Sequence, residues 1–166
     1  MEEKLSKSSY KEQLKEKNQI AIVPKGNSMW PTLKNEKQSV IIGAKRERLK
    51  EFDVALYVRG QNNFVLHRVI KVLPDGYLMC GDSQFTLEKV DEEQIFGIML
   101  GYYHGKNYVD CKDQKYINKI KKWYKRKGYR KFRVKLFFLC EGVKHKLKSL
   151  FRRKKDVCFN RAWRKG

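Results

Sequence analysis

Long apolar runs are absent from this chain. The densest apolar cluster is LFFLC, residues 136–140, far short of the roughly 20 residues a membrane-spanning helix requires, so no bilayer-crossing helix is expected. The N-terminal stretch MEEKLSKSSYKEQLKEKNQ is charged and has no apolar centre, so it does not read as an export signal and implies a cytoplasmic protein. The four cysteines, Cys80, Cys111, Cys140 and Cys158, are far apart with no C-x-x-C pair. Such spacing favours neither a dense disulfide framework nor a cysteine zinc site, and reads as reduced thiols. No metal and no organic cofactor is suggested. Acid is scarce at one end only: residues 115–166 hold 21 basic and 2 acidic side chains, and the preceding 114 hold 18 and 16. The formal charge of +21 therefore belongs to the C-terminal third.

Three regions follow. Residues 1–18 form a polar leader. Residues 19–113 carry short segments rich in Val, Ile, Leu and Tyr (IAIV, SVIIG, DVALYV, NFVLHRVIKVL, GYLMC, QIFGIMLGYY), punctuated by PKGN, RGQNN and LPDG. These predict a mainly β domain with a coiled or barrel-like sheet, because many short strands must cover one another. Within 64–73, Val65, His67, Val69 and Lys71 share one pleat face, and Phe64, Leu66, Arg68, Ile70 and Val72 share the other, which reads as buried except at Arg68. Residues 114–166 form a basic α-helical extension. Ile117, Ile120 and Tyr124 align on a helix that Gly128 would stop, and Phe132, Leu136, Leu139, Val143, Leu147 and Leu150 recur at steps of three and four.

The run NSMWPTL raises the question of chemistry. Gly26 permits an unusual backbone angle just before Ser28, and Pro31 restricts Trp30, so the Ser28 hydroxyl sits on a stiff bend. A serine attacks poorly unless a base lies within reach and donors face the developing oxyanion. Of the three histidines, His67, His104 and His145, only His67 falls within the predicted β core.

Taken in order, GNSMWPTL, FDVALY, LHRVI and CGDSQ resemble the signal peptidase family and its wider clan, which includes the LexA-like self-cleaving repressors. The resemblance spans about Gly26 to Gly101. It implies a serine endopeptidase with Ser28 as nucleophile and Met29 beneath the substrate groove. His67 stands at the third box, as in the archaeal and endoplasmic-reticulum branch, where most bacterial enzymes have lysine. It implies an acid after the Gly-Asp box: Asp82 matches the box, and Glu88 stands where that branch has a second aspartate. Either could orient His67. The substrate would be an extended precursor or leader peptide with small side chains before the cut, and Ser28 N–H would be the expected oxyanion donor.

Other readings weigh against each assignment. Asp82 could close a turn on its own backbone, Glu88 could be a solvated strand-end acid, and Trp30 could line the core or, with Met29 and Pro31, the groove. A peptidase-like domain without turnover, docked on a membrane or an acidic partner, is the competing class. A self-cleaving regulator is disfavoured because the leader holds no Ala-Gly or Cys-Gly pair. The charge of 115–166 exceeds what solubility requires and points to an anionic membrane surface or an acidic partner. Nucleic acid is a weaker expectation, since the short leader leaves no room for a DNA-binding helix pair.

Overall fold

The computed structural model describes residues 9–60 and 63–162, with side chains described within 10–60 and 63–144. A short helix, α1 (Ser9–Lys17), precedes eight strands: β1 (Gln19–Ile22), β2 (Val40–Ala44), β3 (Val54–Arg59), β4 (Asn63–Leu73), β5 (Gly76–Cys80), β6 (Glu88–Asp91), β7 (Ile95–His104) and β8 (Asn107–Asp110). Helices α2 (Gln114–Lys125) and α3 (Lys127–Ala162) follow. The chain divides into two compact units, 1–122 and 123–166.

The protein is mainly β. All pairings are antiparallel, in the order β1-β2-β7-β3-β4-β5-β6, with β8 added to β7. The sheet is open: β1 and β6 stand at its ends and do not meet. Register shifts leave an extra residue at Phe96 and Leu100 in β7 and at Ile70 in β4, and such a residue sharpens the local twist. One core gathers Leu49, Ala55, Tyr57, Val69, Tyr77, Met79, Val90 and Ile95. The alternation along β3, β4 and β5 delivers those side chains to one face.

Two expectations need correction. Arg68 is fully buried, at 0% exposure, because the loop after β5 brings a carboxylate to it. The helix expected to stop near Gly128 ends at Lys125, and Gly128 lies in the first turn of α3. Leu147 and Leu150, the last members of the apolar stripe, lie outside the described side chains.

Candidate functional site

Ser28 sits in a run of turns between β1 and β2, half-buried above the buried Met29. Gly26 adopts φ +95°, where a Cβ would be strained, and its N–H donates to Asn35 Oδ1 at 2.7 Å. Trp30 N–H donates to Asn27 O at 3.0 Å and Leu33 N–H to Met29 O at 2.9 Å, with a cis bond between Trp30 and Pro31. A second loop fastens this bend. Ser83 N–H donates to Ser28 O at 2.9 Å, and Ser83 Oγ lies 2.7 Å from Asn27 O and 3.0 Å from Ser28 O. Gly81 makes the approach possible, since a Cβ there would stand 2.6 Å from Ser28 O. Among the described residues, Ser28 N–H and Oγ make no hydrogen bond, so both remain available to a ligand.

His67 lies on β4, 3% exposed. Its Nδ1 is 3.1 Å from Tyr57 Oη, and the Tyr57 hydroxyl donates to Glu88 Oε2 at 2.9 Å. Arg59 clasps Glu88 through Nε to Oε1 at 2.7 Å and through a second, short contact to Oε2, and it reaches Tyr57 Oη at 3.3 Å. With its proton committed to Glu88, the Tyr57 oxygen can only accept from His67. Nδ1 therefore carries the imidazole proton, and Nε2 keeps its lone pair.

Burial, reinforced by the charge of Arg59, lowers the His67 pKa to about 4, against the smaller opposing pull of Glu88 and Asp82. The ring is neutral at neutral pH. Burial first, then the bond to Glu88, raises the Tyr57 phenol well above its ordinary value, so it stays a donor. Burial pushes Glu88 upward, but the bonds from Arg59 and Tyr57 outweigh it and hold the carboxyl below its usual range.

Asp82 does not join this relay. It is fully buried and takes two bonds of 2.7 Å from Arg68, one to each carboxylate oxygen, and a short one from the Thr32 hydroxyl. Arg68 also donates to Phe52 O at 2.7 Å and lies 3.2 Å from Tyr116 Oη. A buried arginine and carboxylate thus satisfy each other, and through Thr32 and Ser83 the 81–84 loop holds both sides of the Ser28 bend.

Ser28 and His67 line the same groove, of about 560 Å³, together with Met29, Leu56, Leu66 and Gln84. No hydrogen bond joins Ser28 to His67 among the described residues. The lining includes residues 22–25 and 63–67. One side of 63–67 is an open strand edge: these residues pair with β3, whereas β5 pairs only from Arg68 onward. Trp30 and Pro31 are not part of the lining.

Of the four residues singled out for chemistry, the fold brings Ser28, His67 and, through Tyr57, Glu88 together. Tyr57 and Arg59 escaped the sequence reading and join the site only through strand pairing. Pairing DVALYVR with NFVLHRV sets Ala55 opposite His67 and Tyr57 opposite Val65, one diagonal step away on the same face. No protein-family model, curated protein or solved structure matches the chain.

Proposed function

We propose that the protein is a serine endopeptidase of the signal-peptidase-like type, with that fold bent from the open sheet, cutting an extended precursor or leader peptide. The carrying observation is the convergence of a stapled serine bend and a neutral, tautomer-fixed histidine on one groove with an open strand edge.

A peptide would lie extended along residues 63–67, adding a strand whose backbone bonds supply affinity. The apolar floor of Met29, Leu56 and Leu66 favours short, uncharged side chains near the cut. His67 Nε2 takes the Ser28 proton as Oγ attacks the carbonyl carbon, and Ser28 N–H faces the developing oxyanion. The imidazolium so formed donates from Nδ1 to Tyr57, whose own proton stays on Glu88's side of the relay. Collapse of the tetrahedral intermediate returns the proton from Nε2 to the leaving amine. Water then attacks the acyl-serine with His67 again as base. The missing Ser28 to His67 bond forms as substrate excludes water, since catalytic bonds tighten on binding. Asp82 and Arg68 position the Ser28 bend from below.

The test is cleavage of a diverse peptide mixture followed by mass spectrometry, with Ser28→Ala as control. New termini following small residues, absent with Ser28→Ala, are expected. Peptides retained but never cut, equally by both proteins, would replace the enzyme with a binding module.

A further inference from the structure

Helix α3 carries an apolar face that the structure leaves uncovered. At about 100° per residue, Tyr129, Phe132, Leu136, Leu139, Cys140 and Val143 fall within an arc of roughly 100°. Phe132, Leu136, Leu139 and Val143 are 63%, 39%, 64% and 51% exposed. Arg130 and Val134, on the other side of the helix, are buried, with Arg130 over the Tyr124 ring. The stripe is thus solvent-exposed, and Phe138, 47% exposed, lies outside it on the Val134 side. Arg133 and Lys144 border the stripe on one flank, and Lys131 and Lys135 border it on the other, all exposed.

We propose that this face docks on an anionic lipid bilayer, with the stripe in the upper acyl region and the flanking Lys and Arg heads among the phosphates. Three features select that occupant. Long basic stems let a helix sink its apolar side while the charges stay in the headgroup layer. The stripe from Tyr129 to Val143 runs about 21 Å along α3, a length over which a bilayer offers both chemistries continuously. Finally, the other occupants satisfy only half of the surface. Nucleic acid phosphates would pair with the charges but leave Leu136, Leu139 and Val143 in water with no base to stack on. A second copy would cover the stripe but set like-charged flanks against each other.

This inference is independent of the peptidase reading. The test is flotation of the full chain with phosphatidylcholine vesicles, with and without phosphatidylglycerol, and with duplex DNA as competitor. Two double variants at exposed positions, Leu136→Gln with Leu139→Gln and Lys131→Glu with Lys135→Glu, are compared, and circular dichroism verifies that each stays folded. Wild type should bind the anionic vesicles at least tenfold more tightly than the neutral ones, and added salt should release it. Each double variant should weaken binding by about tenfold or more, whereas Ser28→Ala should bind as wild type. Indifference to the apolar pair, equal binding to neutral vesicles, or capture by DNA in preference to vesicles would overturn it. A dimer dissolved by the apolar variant would do the same.

Discussion

Because Tyr57 commits its O–H to Glu88, His67 must hold its proton on Nδ1, and the ring is bonded to a phenol rather than directly to an acid. Tyr57→Phe leaves the ring volume and removes the acceptor. Its kcat on a cleaved peptide should fall by ~10- to 100-fold with KM nearly unchanged, as expected when only transition-state support is lost. An unchanged kcat would mean that His67 is oriented by something else. Arg59 acts on the same ring in the opposite sense to Glu88. With His67 lowered to about 4, the acidic limb of kcat/KM should fall near that value and not near the ordinary ~6.5. Removing the positive charge in Arg59→Gln should move the limb upward, toward ~6.5, and NMR titration of the His67 ring should follow it. A limb that stays in place would show that burial alone sets the value.

At the scale of elements, the Ser28 bend depends on a loop from the far end of β5. Gly81→Ala introduces a Cβ at 2.6 Å from Ser28 O, a backbone atom that cannot swing aside. The expected result is a displaced Ser28 and a loss of roughly 100-fold in kcat, with the melting temperature lowered only modestly. Full activity in Gly81→Ala would show that the bend tolerates movement. The same elements explain what the sequence disclosed. Ser28 and His67 were legible as candidates because each lies within a contiguous run, and the mainly β character because turn residues punctuate apolar segments at short intervals. Tyr57 and Arg59 were not legible, since their meaning arises only when β3 and β4 adopt a particular register. Arg68 read as an exposed break in a buried face, since its partner Asp82 lies 14 residues on and arrives through a hairpin and a loop. In α3 the period announced the helix, but not that the stripe would be exposed, because periodicity fixes a face and not its neighbour.

For the whole molecule, two buried charges and one buried ring couple the site to stability. Asp82→Ala leaves the fully buried Arg68 without its carboxylate and should cost ~3–5 kcal/mol in urea unfolding. Arg68→Met combined with Asp82→Leu should cost less than Asp82→Ala alone, because no charge is then stranded. A double variant as unstable as the single one would assign the loss to packing. His67 adds a pH dependence whose sign follows from its lowered pKa. Between the ordinary ~6.5 and the folded value of about 4, the unfolded chain takes up the proton and the folded chain does not. Stability is therefore complete above that window and declines as pH falls through it, by ~3 kcal/mol from this group. Urea unfolding at pH ~7 and ~4.5 should show a larger loss for wild type than for His67→Gln, and equal losses would contradict the buried neutral ring.

Whether Ser28 is an activated nucleophile is most directly tested by intact-mass measurement after exposure to a serine-directed acylating probe, for wild type, Ser28→Ala and His67→Ala. The expected result is one covalent adduct on wild type, absent from Ser28→Ala and formed more slowly on His67→Ala. No adduct on folded wild type, under conditions that fully label a control serine enzyme, would contradict it.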